Sequence, residues 1–264
     1  MEAFRFRQGR IPLLVSMPHV GTHIPDKLAA RMRPEALRLP DTDWHVEELY
    51  DFLEELGAYV LAATHSRYVI DLNRDPQGKP LYPGATNTEL CPTTTFGDAR
   101  IYQDGKGPDA SGVEERRRRW WQPYHDKLSQ TLEELRAQHG QVLLWDAHSI
   151  RSRVPRFFEG QLPDLNLGTG GGITADPVLL RAVAGAAEDP RYSLAIDGRF
   201  KGGFITRNYG RPERGLHAIQ LELSWATYMK EDYPFDFQPD LASAIRPVLR
   251  RMVEAGRNAL NRLD

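Results

Sequence analysis

Cysteine is almost missing from this chain of 264 residues: Cys91 stands alone, so no intrachain disulfide can form and a reducing compartment is expected. Thiolate metal sites are excluded with it, which leaves histidines and carboxylates as the available ligands. No apolar run approaches the ~20 residues that a membrane helix needs. Residues 1–10 alternate Phe with Arg and lack a continuous apolar stretch, so they are not expected to act as a signal peptide. An excess of either charge is missing too. The 34 Lys and Arg face 36 Asp and Glu, and nothing global draws the chain to a polyanion or an anionic membrane. Internal repeats and linker-like shifts in composition are absent. One domain over residues 1–264 is expected, in a cytoplasmic protein with neither nucleic acid nor membrane as a partner.

What is present is a hydrophobic fraction of 41 %, ample for a core at this length. Ile11–Met17, Val142–Trp145 and Ala218–Leu223 are short, nearly continuous apolar runs, the pattern of strands buried on both faces. Tyr59–Ala63, Arg67–Leu72, Tyr192–Ile196 and Phe204–Arg207 are weaker strand candidates. Helical spacing marks Asp41–Leu56, with Gly57 as its C-cap, and Val113–His139, where Pro123 is expected to kink or divide the helix. A helix from an Asp176-Pro177 start to about Ala187 and a closing helix over 239–263 complete the pattern. Strands alternating with helices predict an α/β fold, with a mixed, mostly parallel sheet covered on both faces. The Gly-, Pro- and Thr-rich segment 75–112 has no period, and its length makes an active-site lid plausible.

Polar residues cluster where apolar runs end, and open α/β sheets bind ligands at such places. His19 follows the first run, His148 the second, and Glu222 sits between Leu221 and Leu223. Two histidines, one carboxylate ligand and a separate basic carboxylate would make a hydrolytic zinc site. Alternation could equally turn Glu222, with Gln220 and Ser224, toward solvent. Arg67, Asn73 and Arg74 offer fork-shaped donors suited to a carboxylate, or to an Arg–Asp network within the loop. Arg116–Arg119 beside Trp120 and Trp121 could suggest nucleic acid, but Glu114 and Glu115 make a solvated helix face the better reading. Ser149 lacks the Gly-x-Ser-x-Gly turn of a serine hydrolase.

The motifs PHVGTHIP, DTDWHVEELY, THSRYVIDLNRD, LCPTTTF, LWDAHSIRS, GRFKGGFITRNYG and HAIQLELS, in this order, closely resemble the N-formylglutamate amidohydrolases. That family is similar to the zinc carboxypeptidases and aspartoacylases. The resemblance implies their aminoacylase-like (phosphorylase/hydrolase-like) fold and hydrolysis of N-formyl-L-glutamate in histidine degradation. It also implies His19 and His148 as zinc ligands, Glu222 as general base and Arg67 as oxyanion donor. Asn73 and Arg74 would hold a substrate carboxylate. The relatives take a further ligand from a Glu three residues after the first His, where this chain has Thr22. Asp43 is the expected replacement, with Asp41 and His23 as alternatives. Arg207 is the expected anchor for the second carboxylate, and Lys201 is a further candidate. The same ligands would accept manganese, cobalt or iron. A deacylase of another N-acyl acidic amino acid, or a catalytically silent metal- or ligand-binding homologue, are the alternative readings.

Overall fold

The structure, a computed structural model, describes residues 1–80 and 87–263. Seven strands make one sheet: β1 (Phe4–Arg7), β2 (Leu13–Met17), β3 (Tyr59–Ala63), β4 (Val142–Ile150), β5 (Leu165–Gly168), β6 (Leu194–Ile196) and β7 (Leu216–Ser224). Their order is β1-β3-β2-β4-β7-β5-β6. The three apolar runs form the centre, with β2, β4 and β7 all parallel. Pairing is antiparallel only at β1–β3 and β5–β7, so the sheet is mixed and mostly parallel.

The helices are α1 (Asp26–Ala29), α2 (Val46–Leu49), α3 (Leu53–Leu56), α4 (Ala110–Arg116), α5 (Gln122–His139), α6 (Pro177–Ala186), α7 (Phe204–Tyr209) and α8 (Pro239–Ala259). Leu13, Val15 and Met17 pack with residues of α2, α3, α6 and α8, while Leu14 packs on the opposite face with residues of α5 and α7. Every residue of β2, β4 and β7 is buried, as a strand covered on both sides requires. The alternation that could have sent Glu222 to solvent therefore has no solvent face to use.

Four local readings change. Asp41–Leu56 is two single turns, α2 and α3, rather than one helix; Gly57 does end the second in the left-handed region, at φ 80°. Arg67–Leu72 is a buried turn, because its backbone bonds leave the sheet: Val69 N–H donates to Ser66 O, and Asp71 N–H to Leu90 O. Phe204–Arg207 is the start of α7. Its first N–H groups are capped from afar, Gly203 N–H by Gln220 Oε1 and Ile205 N–H by Asn73 Oδ1. Pro123 does not break its helix. A π-helical stretch, Arg117–Trp121, precedes it and joins α4 to α5; proline has no N–H to continue the ordinary ladder there. Strands β1 and β5 were not expected: β1 is a four-residue alternation and β5 lies in a Gly/Pro-rich stretch.

Of segment 75–112, residues 81–86 lie outside the described residues, so a lid there is not described. Among the described part, Asn87, Thr88 and Phe96 line the central pocket. The basic run is spent on structure: Arg116 is buried and donates to Val69 O and Tyr102 Oη, and Arg117 pairs with Glu114. Among the described residues no helix is long and apolar enough to cross a membrane.

Candidate metal centre and substrate pocket

The parallel strands β2, β4 and β7 end side by side, and the chemistry collects at those ends. His19 lies two residues beyond β2; His148 and Glu222 are directly opposed in the β4–β7 register. Asp43 reaches the site from the loop before α2, where its N–H donates to His19 O at 3.0 Å.

His19, Asp43 and His148 are all buried, and each offers a ligand atom such that all three lie within 4.8 Å of one another. Asp43 Oδ2 is 3.1 Å from His148 Nδ1 and 3.7 Å from His19 Nδ1. Tetrahedral zinc, with bonds near 2.0–2.1 Å, holds its ligands about 3.3 Å apart. These spacings bracket that value, so the donor set fits a divalent metal. The far nitrogen of each ring is held by a carboxylate: His19 Nε2 is 2.7 Å from Asp71 Oδ1, and His148 Nε2 is 3.2 Å from Asp146 Oδ1. Such outer carboxylates fix the ring and its tautomer, leaving Nδ1 free to ligate. Asp146 is itself fixed by the hydroxyls of Ser16 and Thr206.

The two rings differ in their electrostatics. Burial and the Arg67 charge pull His19 down, keeping it neutral. Burial works against a charged His148, yet Asp146 and Asp43 outweigh it and hold the ring well above its usual range. A field that favours a proton also favours a metal ion in its place. Burial opposes ionisation of Asp71 as well, but Arg67, Arg74 and His19 hold it well below the usual carboxylate range.

Asp41 and His23, the alternative ligands, are engaged elsewhere. Asp41 Oδ2 accepts from Tyr68 Oη and Phe96 N–H. His23 pairs with the His65 ring, at 4.9 Å between centroids.

The site opens into a cavity of about 320 Å³ lined by Arg67, Arg74, Arg156, Arg199, Phe200 and Glu222 among others, within the size range of small-molecule sites. Glu222 is 8 % exposed; burial pushes its carboxyl up to about 8, with His148 opposing and Asp43 adding to the shift. Gln220 lies on the same face. Its oxygen takes the Gly203 N–H at 2.7 Å, which turns its amide nitrogen toward Glu222 Oε2 at 3.4 Å. The Arg67 Nη2 donates to Asp71 Oδ2 at 2.7 Å, and its guanidinium lies 4.6 Å from the centre of the Phe96 ring. Asn73 lines the pocket with Nδ2 3.1 Å from His148 Nε2. Arg74 donates to Thr88 Oγ1 and Asn73 O.

Arg207 is not among the residues lining this pocket. Its Nε donates to Gly202 O, and it borders a separate depression with Asp75, Phe204 and Arg211. The run around it folds as a helix rather than a strand, which turns it to that side. Lys201 does line the pocket, as do Arg156 and Arg199, which the sequence did not single out. Asp71 and Asp146 were also missed as ring partners. The signal was their place at or just past a strand or turn that delivers a histidine or arginine.

Residues 11–229 match the family described as N-formylglutamate amidohydrolase. The chain is 52 % identical over 260 residues to the N-formylglutamate deformylase of Pseudomonas aeruginosa, covering 96 % of each. It is 50 % identical over 257 residues to that of Pseudomonas putida, covering 96 % of this chain and 95 % of the relative. Among solved structures, an N-formylglutamate amidohydrolase from Ralstonia eutropha superposes with a TM-score of 0.83 at 26 % identity over the whole of both chains. A gene product of Agrobacterium tumefaciens shares the fold, with a TM-score of 0.73 at 19 % identity over 99 % of this chain and 96 % of that one.

Proposed function

The chain belongs to the N-formylglutamate amidohydrolase family, and from that premise we propose that residues 1–264 act as one catalytic domain hydrolysing N-formyl-L-glutamate to formate and L-glutamate. The observation that carries the reading is the meeting of His19, Asp43 and His148 beside Glu222 in one pocket. Zinc is the proposed metal, held by those three residues; manganese, cobalt or iron suit the same donors. The reaction would close a route of histidine degradation in the cytoplasm.

A divalent ion held there would supply Lewis acidity at the formyl carbonyl and make a neighbouring water acidic enough to attack near neutral pH. Glu222 takes the proton of the attacking water and passes it to the leaving amine nitrogen. Burial raises the Glu222 carboxyl, and a cation bound beside it would bring it back down far enough to accept the proton. Arg67 stabilises the charge that develops on the formyl oxygen. Asp71 and Phe96 hold its guanidinium in place beforehand, so little reorganisation is needed during the reaction. Arg74, with the side-chain amide N–H groups of Asn73, binds the α-carboxylate. Phe96, Phe158 and Phe200 on the wall displace water and strengthen each charged contact.

The test is formate release from N-formyl-L-glutamate by purified protein as isolated, after chelation, and after zinc is restored. Activity that is lost and then returns supports substrate and metal together. No formate under any condition, with N-acetyl or N-succinyl analogues hydrolysed, overturns the substrate and keeps the chemistry.

A further inference from the structure

N-formylglutamate carries two carboxylates, and one of the two is still without a partner once Asn73 and Arg74 hold the first. We propose that Arg156, on the loop after β4, is the specificity-determining residue that binds the side-chain carboxylate; the proposal rests on the function argued above.

Arg156 lines the pocket with its side chain only 14 % exposed. One end is anchored: Nη1 donates to Thr94 Oγ1 at 2.8 Å and to Thr95 O at 2.7 Å. The same nitrogen lies 3.3 Å from Asp98, a carboxylate 71 % exposed to water. Its guanidinium carbon lies 5.7 Å from the centre of the Phe157 ring, which meets Phe96 edge-on. Among the described residues Nε and Nη2 carry no hydrogen bond. They are the two donors of one side of the fork, the pair that takes a carboxylate in bidentate fashion. Anchored at one nitrogen and open along one edge, Arg156 is pre-organised for an anion.

Two other arginines in the pocket fit the role less well. Arg67 is committed to Asp71. Arg199 is exposed, and its Nη2 donates to Glu159 O, so it is held less firmly against solvent. The aromatic wall also matters, because Phe96 and Phe157 lower the dielectric around Arg156 and an unpaired substrate amide there would leave its charge unsatisfied.

The experiment compares N-formyl-L-glutamate with N-formyl-L-glutamine, which replaces only the distal carboxylate by an amide. Expected for Arg156→Met is a loss of at least about 30-fold in kcat/KM on the glutamate substrate, as suits a hydrogen-bonded charge pair. On the glutamine substrate the change stays within about threefold, and this retained activity also reports that the variant folds. Arg156→Lys keeps the charge without the fork and recovers part of the glutamate preference. Equal losses on both substrates in the Lys variant, or an unchanged preference in the Met variant, overturn the assignment alone. Wild-type protein that releases formate from neither substrate overturns the proposed function, and this inference with it.

Discussion

The Asp43 amide donates to the His19 carbonyl at 3.0 Å, so the loop that brings a carboxylate is tied to the strand end that brings an imidazole. Residues far apart in sequence thus meet through a backbone bond that no substitution but proline at position 43 removes. His148 is placed independently, by its register against Glu222 in the centre of the sheet. The pair Asp43–His19 fixes one side of the site and the pair His148–Glu222 the other.

Glu222→Gln keeps the shape and removes the proposed base. Turnover on N-formyl-L-glutamate should fall by ~100- to 10,000-fold, the usual worth of a general base, with the metal content of the purified protein unchanged. Metal analysis beside steady-state kinetics decides the matter. Normal turnover would remove Glu222 from the reaction.

Asp43→Ala removes a proposed ligand and should prevent stoichiometric metal binding. Asp71→Asn leaves the ligands but loosens the His19 ring, and should weaken metal affinity by about 10- to 100-fold. Competition with a coloured chelator measures both. Equal affinity in wild type and the Asp71 variant would mean that the 2.7 Å contact to His19 does not orient it.

His125 should make the fold sensitive to acid. It is buried, stacked on Trp121 at 3.7 Å between ring centres, with Nε2–H donating to Leu72 O. Burial pulls its pKa from 6.5 down to about 4, the Leu72 carbonyl opposing. Between those values the unfolded chain binds the proton and the folded one does not, so stability is complete above 6.5 and falls as pH drops toward 4. The loss amounts to roughly 3 kcal/mol over the window. In urea unfolding at pH 7 and pH 5, His125→Gln should lose less stability on acidification than wild type. Identical losses would refute the assignment.

Gly203 lies against the Asn73 amide so closely that a Cβ would meet its atoms. Gly203→Ala should therefore displace Asn73 from His148 and α7, at about 1–3 kcal/mol, and lower kcat as well. Urea unfolding and the formate assay read the two effects separately. A variant as stable and as active as wild type would show that the loop shifts without strain.

The central strands were legible because each is apolar on both sides, and that same feature marked His19, His148 and Glu222 at their ends. Asp43 could be named as a candidate ligand only through resemblance, since helical spacing over 41–56 says nothing of which carboxylate turns inward. What could not be read depended on partners distant in sequence. Helix α7 looks like a strand until Gln220 and Asn73 are seen capping it. Arg67–Leu72 has the composition of a strand, but its backbone bonds go to Ser66 and Leu90. Arg156 and Arg199 gave no signal because loop arginines abound in this chain, and only folding shows which of them face a cavity.

The two rims of the sheet bear on how the protein survives crowding. β1 carries Arg5 and Arg7 along its alternation, held by Glu47 and Glu54, and β6 is three residues long. A charged border on one side and a stub on the other give a second chain little to pair with. A sheet seven strands wide, apolar throughout its middle, is in this way kept from seeding fibrils through its edges.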